Sequence, residues 1–304
     1  MENKSRTLRE LIAAPEILVM PGVYDGYSAR VVARAGFKAG FITGAGVSEA
    51  SLGWADVGVM SYEENLRVCR SIVGCFDLPT IADADTGYGN AVNVHFTVRG
   101  FEQAGHTGIM IEDQVWPKRC GHMKGKAVIS AEEAVEKIRA AAEARRNPDF
   151  VVMSRTDTLA THGIDEVIRR LNLYAEAGAD LLFADALLTV DEIRTVAKAV
   201  PKPLTVNMGF GVRQRSTTPL LSAAQLQELG VAVVIYPRLL TAAAIQGMNN
   251  AMAALQQMLT TGKVVDRPDL LVSFEELNDL LGMAELQRLE QRYFTKEQVA
   301  ERYR

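Results

Sequence analysis

The run Phe150-Val151-Val152-Met153-Ser154-Arg155, the helically spaced stretch Ile164–Ala177 with Gly178 behind it, and the run Leu181-Leu182-Phe183-Ala184-Asp185 together form one legible unit. Both runs are apolar until their last one or two residues, the pattern of parallel strands covered on two faces. The stretch between them stops at a glycine, which takes the left-handed conformation that ends a helix. Each run finishes on a charged residue, Arg155 and Asp185.

The same unit recurs in both directions along the chain. Further apolar runs lie at Ile17–Val23, Phe37–Thr43, Leu78–Asp85, Gly108–Glu112, Leu204–Asn207 and Val231–Tyr236. Helical spacing fills Tyr27–Ala35, Glu132–Arg145 and Val190–Ala199, with stops at Ala35-Gly36, Val200-Pro201 and Leu229-Gly230. Eight strands with helices between them predict an α/β fold, a closed (β/α)8 barrel of the TIM type, rather than an open doubly wound sheet. The 304 residues read as one domain, 1–304, without repeat or linker. From about residue 240 to 304 the pattern is helical only. Ser273–Gly282 and Glu285–Arg304 are expected to be appended helices that cover a neighbouring subunit.

Composition narrows the function. The net charge is −4, and no basic tract interleaves with aromatics, so nucleic-acid binding is not expected. Three cysteines, Cys69, Cys75 and Cys120, make an odd number, which argues for a reducing compartment rather than a disulfide framework. No signal-type or membrane-spanning apolar run is present, and a cytoplasmic protein is expected. Cys69 and Cys75 lie on or near an apolar helix and read as core.

The strand ends carry the chemistry. Asp83 and Asp85 stand two apart, so on a strand both point to one side. The next run ends in Glu112-Asp113, the fifth in Arg155-Thr156-Asp157, the sixth in Asp185 and the seventh in Asn207. A barrel gathers such ends at one mouth, where its active sites lie. Buried charges there are costly unless paired or bound to metal. Oxygen donors without histidine or thiol suit a hard cation, Mg2+ or else Mn2+. The plainer alternative is that these acids cap loops or pair with Arg155. Asp56, in the glycine-flanked turn after the second strand, is a further candidate.

After the fourth strand, Lys118-Arg119-Cys120-Gly121-His122 puts two cations, a thiol and a histidine in five residues, flanked by Pro117 and Gly125. Positive neighbours raise a cysteine's thiolate fraction, and the glycines predict a lid that excludes water on closing. An exposed basic loop is the bland reading. Thr43-Gly44-Ala45-Gly46 after the second strand offers backbone N–H groups to a carboxylate, a weak signal alone.

Together, Pro21-Gly22-Val23-Tyr24-Asp25, Asp83-Ala84-Asp85-Thr86-Gly87-Tyr88-Gly89-Asn90, Glu112-Asp113-Gln114, Lys118–His122 and Arg155-Thr156-Asp157 resemble the isocitrate lyase/phosphoenolpyruvate mutase superfamily. The likeness is strongest to its short lyases, of the 2-methylisocitrate lyase, 2,3-dimethylmalate lyase and carboxyvinyl-carboxyphosphonate phosphorylmutase-like types. The resemblance implies a homotetramer of pairs that swap a C-terminal helix. It implies a Mg2+ held by Asp85 with Asp56, Asp83 and Glu112. The small carboxylate substrate would meet Thr43, Gly44, Ala45, Gly121, Arg155, Asp185, Asn207 and Thr218. Cys120 would be the proton donor, with Lys118, Arg119 and His122 beside it. The implied reaction cleaves a carbon–carbon bond in a 2-hydroxy di- or tricarboxylate, through an enolate-like intermediate, to a 2-oxo acid and a carboxylic acid.

Three departures bear on the substrate. The family's usual glutamate after the sixth strand is Asp185. The loop from Asn207 through Pro219 is longer and more basic than expected. An arginine that methylisocitrate lyases carry after the eighth strand is Ala242, unless Arg213, Arg215 or Arg238 substitutes for it. A malate-type or otherwise divergent substrate is therefore expected over methylisocitrate. The alternatives are an oxaloacetate hydrolase or decarboxylase, a carbon–phosphorus phosphomutase, or a non-catalytic barrel.

Overall fold

In the computed structural model, which describes residues 3–121, 123, 125–209 and 218–302, the apolar runs form eight strands separated by helices. The chain begins α1 (Lys4–Ala13), β1 (Leu18–Val23), α2 (Gly26–Arg34), β2 (Gly40–Ile42), α3 (Gly44–Leu52), α4 (Tyr62–Cys75) and β3 (Thr80–Asp83). It continues α5 (Ala91–Gln103), β4 (Gly108–Glu112), α6 (Ala131–Ala144), β5 (Val151–Thr156), α7 (Leu159–His162), α8 (Ile164–Glu176) and β6 (Leu181–Ala184). Then come α9 (Val190–Ala199), β7 (Leu204–Asn207), α10 (Ala223–Glu228), β8 (Val233–Tyr236), α11 (Leu239–Thr261), α12 (Phe274–Leu280), α13 (Met283–Tyr293) and α14 (Lys296–Arg302). Every strand pairs parallel with the next, and β1 closes on β8 with Leu18 opposite Val233. The sheet is a closed barrel, not an open one.

Two apolar layers hold it. Alternate strand residues fill the barrel interior: Leu18 and Met20, Phe41, Ile81, Met110, Val151 and Met153, Leu181 and Phe183, Val233 and Ile235. Leu8 and Ile12 of α1 belong to the same cluster. The intervening positions, such as Ile42, Ile109, Ile111, Val152, Leu182, Val206 and Val234, join the helices in an outer core. Burial on both faces explains why the runs read as continuous. The helices start where polar residues cap them: Ser61 with Glu64 before α4, Thr189 with Glu192 before α9 and Ser222 with Gln225 before α10 form reciprocal capping boxes. Such a cap contributes about 1 kcal/mol.

Some boundaries differ from the expected ones. The second strand is three residues, not seven, because Gly36 turns with φ +80°, Lys38 is exposed, and Thr43 already caps α3. The first turn of α3 replaces the expected small-residue loop. The chain divides into two compact units, residues 1–243 and 244–304, where the sequence reads as one domain; the division falls inside α11. The expected tail helix is two, α13 and α14, and residues 262–273 are not helical.

Candidate active site

The interior alternation continues into the mouth. Two residues past each inward aliphatic or aromatic stands a polar one: Thr43 after Phe41, Asp83 after Ile81, Glu112 after Met110, Arg155 after Met153 and Asp185 after Phe183. Asn207 follows Thr205 in the same way, and Glu112 lies opposite Arg155 in the β4–β5 register. The parallel ladder thus delivers these side chains to one end. Asp85 corrects the expectation of a shared strand face: it lies beyond β3 with φ +49°, and its N–H donates to Asp83 Oδ1 at 3.0 Å. The turn, not the pleat, brings the two together.

These residues wall a cavity of about 40 Å³. Thr43, Ala45, Asp56, Asp83, Lys118, Cys120, Gly121, Arg155, Asp185 and Asn207 line it, over a floor of Phe41, Met110, Phe183 and Ile235. A volume this small admits a few waters at most. Glu112 and Asp85 stand behind the wall, in contact with its cations. Arg155 is placed by Asp157, with Nε donating at 2.8 Å and Nη2 at 2.9 Å; Nη2 also donates to Asp185 at 2.6 Å, and Glu112 lies 3.3 Å from Nε. Lys118 Nζ sits 2.5 Å from Asp56 and 2.8 Å from Asp85, almost wholly buried. Gly44 lacks a Cβ that would stand 2.8 Å from Asp83 Oδ2, and its N–H donates to that oxygen at 3.2 Å.

The segment after β4 lies over the cavity. Its neck is a short antiparallel pairing of Gln114 with Val128, with Val115 N–H donating to Ala127 and Ile129 N–H to Asp113. Cys120 N–H donates to the Asp56 carbonyl at 3.1 Å. Arg238 Nη2 donates to Cys120 Sγ at 3.4 Å. Lys126 Nζ reaches Asp157 at 2.8 Å and the Gly121 carbonyl at 2.9 Å. Gly121 is where the lid meets the opposite wall: a Cβ there would fall 1.6 Å from Asp185 Oδ2 and 2.6 Å from Arg155 Nη2.

The electrostatics follow from crowding charges out of water. Burial and the adjacent Asp85 push Asp83 up to about 6. Burial raises Glu112 well above the usual carboxylate range, against the pull of Arg155. Burial opposes the charge on Lys118, but Asp85, Glu112 and Asp56 outweigh it and hold the ammonium protonated. Asp157 is likewise buried, yet Arg155 and Lys126 hold it below the usual range.

A hard cation fits the donors by their chemistry. All are carboxylates, and Glu112 Oε1 is buried without a hydrogen-bond partner. Among the described residues, however, no three such side chains stand grouped as metal ligands. Cations of the chain engage three of these carboxylates, Lys118 at Asp56 and Asp85, Arg155 at Glu112.

Several expected residues lie elsewhere. Arg119 does not line the cavity, and Gln114 clamps its backbone N–H and carbonyl through side-chain bonds of 3.0 and 2.8 Å. Thr218 is buried but is not in the wall. His122, Arg213 and Arg215 fall outside the described residues. Asp113 faces away, bound by Thr156, Arg170 and Tyr174. Cys69 is buried in α4 and Cys75 half-buried at its end.

Three supports were not read from the sequence. Buried Asn65 of α4 donates to the Asp83 carbonyl at 2.8 Å and to the Tyr88 hydroxyl at 2.7 Å. Lys137 of α6 donates to the Thr86 carbonyl, and Lys126 pins the lid. Nothing in local spacing signals the first two, since both sit on helix faces that otherwise read as ordinary amphipathic ones.

The profile of the family described as phosphoenolpyruvate phosphomutase matches residues 8–256, from α1 into α11. The chain belongs to the phosphoenolpyruvate mutase/isocitrate lyase superfamily. It is 42% identical to the 2,3-dimethylmalate lyase of Eubacterium barkeri, over 96% of this chain and 99% of that one. It is 39% identical to the 2-methylisocitrate lyase of Aeropyrum pernix, over 93% and 88%. Among solved structures, an oxaloacetate acetylhydrolase bound to the inhibitor 3,3-difluorooxalacetate superposes with TM-score 0.88 at 30% identity, covering 97% of this chain and 98% of that one. A phosphonopyruvate hydrolase complexed with oxalate and Mg2+ gives TM-score 0.83 at 30% identity, covering 96% and 99%. The chain is therefore an enzyme, and by its named relatives a lyase of this superfamily.

Proposed function

We propose that the protein cleaves the C2–C3 bond of a small 2-hydroxy dicarboxylate of the alkylmalate type, giving a 2-oxo acid and a carboxylic acid. The observation that carries the reading is the thiol of Cys120, held by the lid over the same cavity as Asp83 and Arg155. Asp85, with Asp56, Asp83 and Glu112, would hold Mg2+ or Mn2+, which on binding polarises the 2-hydroxyl and its neighbouring carboxylate. Arg155 and Asn207, with the first turn of α3 at Thr43, Gly44 and Ala45, orient that carboxylate. Asp185 and Gly121 close the wall behind it. The closed lid excludes water.

The bond's electron pair passes to C3 as the hydroxyl loses its proton and becomes the carbonyl. Cys120 then delivers a proton to C3 of the departing fragment. Lys118 supplies positive charge near the developing anion.

One feature supports the alkylmalate class over methylisocitrate: the relative at 42% identity is named for dimethylmalate. The test is a panel of 2-hydroxy di- and tricarboxylates with Mg2+, following 2-oxo acid release, beside oxaloacetate and phosphonopyruvate. Turnover of 2,3-dimethylmalate above all others is expected. Methylisocitrate cleaved far faster, or activity confined to oxaloacetate or the phosphonate, overturns the proposal.

A homotetramer with exchanged C-terminal helices is proposed too. An apolar groove of about 610 Å³ runs beside β1 and β8, lined by Val19, Phe37, Leu220, Leu221, Tyr236 and Leu239. On α11, Ile245, Met248, Met252, Leu255 and Leu259 recur at three- and four-residue steps and are exposed. A stripe of this kind seeks an apolar partner surface, here a second copy's groove. The three thiols are free, and with them we assign the enzyme to the reducing cytoplasm. No helix among the described residues is long and apolar enough to cross a membrane.

A further inference from the structure

The three cations facing the cavity are unequally compensated. Lys118 is shared by Asp56 and Asp85, and Arg155 by Asp157, Asp185 and Glu112. Arg238, just beyond the tip of β8, pairs among the described residues with one carboxylate, Glu49 of α3. Its Nη1 donates to both Glu49 oxygens at 2.8 Å, which directs Nη2 to the Sγ of Cys120 at 3.4 Å. A sulfur is a weak acceptor, whereas a carboxylate on a guanidinium makes a short charge-assisted bond. An incoming carboxylate could therefore take Nη2 from the thiol without dislodging Glu49 from Nη1.

We propose that Arg238, steadied by Glu49, binds the substrate carboxylate remote from the hydroxyl-bearing carbon and so restricts the enzyme to substrates that carry one. The inference rests on the lyase reading above and names the group that reads the second half of the molecule. The chemistry explains why a guanidinium belongs beside the thiol. When C2–C3 breaks, its electron pair moves to C3 and spreads into the attached C4 carboxylate, which carries extra negative charge until C3 is protonated. The hydroxyl proton is lost as C2 becomes the carbonyl of the 2-oxo acid and passes to solvent as the products leave. The Cys120 S–H supplies the proton to C3, and Arg238 faces the charged carboxylate. The Cys120 thiolate is then reprotonated from solvent, so the turnover moves one proton net from the hydroxyl to C3. No oxidant or further reactant is consumed. Glu49 is a positioning residue: it sits on the helix whose first turn lines the cavity, and it fixes the direction of Nη2.

The experiment uses the full chain with Mg2+, 2,3-dimethylmalate, its C4 monoamide and oxalate. Wild type should prefer the diacid to the amide by about 100-fold in kcat/KM, the size of one charge-assisted contact. Arg238→Gln should lose about 100-fold on the diacid, nearly nothing on the amide, and keep its oxalate Kd within about threefold. Arg238→Lys should recover part of the loss, and Glu49→Gln should raise KM about tenfold. Equal losses on diacid and amide, or an unchanged preference in Arg238→Gln, overturn the assignment. Should wild type cleave neither compound, the lyase reading fails by itself. Calorimetric binding of the two compounds then decides on Arg238: a preference for the diacid that Arg238→Gln abolishes supports it, and no preference overturns it.

Discussion

Cys120 is a thiol on a loop, yet its place is fixed from three sides: its N–H by Asp56, its sulfur by Arg238, and the neighbouring Gly121 carbonyl by Lys126. A proton donor held this way is worth about 10²–10⁴ in rate. Cys120→Ser should lower kcat by that factor while Mg2+ affinity, measured by calorimetry, stays within about twofold; a serine variant of near-normal turnover removes the thiol from the chemistry. At this scale the sequence speaks clearly where a residue type is costly in its setting. Asp83, Asp85, Glu112 and Arg155 end apolar runs, and the cost of burying them marks them. Asn65 and Lys126 carry no such mark. Their partners are a carbonyl 18 positions along the chain and a carboxylate 31 positions away, distances that no local pattern encodes.

Among the elements, the lid meets the strand tips at Gly121. Replacing it with alanine puts a methyl group into the Arg155–Asp185 pair. Gly121→Ala should cut kcat/KM by about 100-fold with Tm within about 2 °C of wild type, because the strain falls on the lid and the Arg155–Asp185 pair rather than on the apolar core of the barrel; a fully active variant would mean that the lid lies open during catalysis. At the other end of the barrel, buried His106 shares a hydrogen bond with Thr80 Oγ1 at 3.1 Å, and burial pushes the ring down to about 3. The unfolded chain binds a proton below about pH 6.5 and the folded ring only near 3, so acid favours unfolding. Stability from this group is complete above pH 6.5 and lost as pH falls, by about 2 kcal/mol at pH 5. Urea titrations at pH 7 and pH 5 should show His106→Gln losing about 2 kcal/mol less than wild type over that interval, and parallel losses would sink the idea. Elements of this kind were legible as types but not as edges. β4, β7 and α9 lie where apolar spacing puts them, whereas β2 is cut short by the turn at Gly36 and the cap at Thr43, which spend residues that still look strand-like.

For the whole molecule, the closed barrel was readable because eight runs, each buried on two faces, leave no edge strand to be polar. The start of the helical unit 244–304 was readable to within a few residues, but the surface it covers was not, since helical spacing says nothing about which surface a helix covers. The exposed stripe on α11 makes that question testable. Met248→Glu combined with Met252→Glu should reduce the mass found by light scattering below that of four chains, and an unaltered mass dismisses the exchanged-helix arrangement. The step-by-two succession from barrel interior to mouth has a broader consequence. Packing and chemistry share one reading frame, so inserting or deleting a single residue within a strand rotates both by half a turn and ruins them at once. Variation that retunes the reaction is thereby driven beyond the strand tips, to places such as Asp185, Arg238 and the lid. One unchanged cylinder can in this way serve hydrolases, mutases and lyases alike.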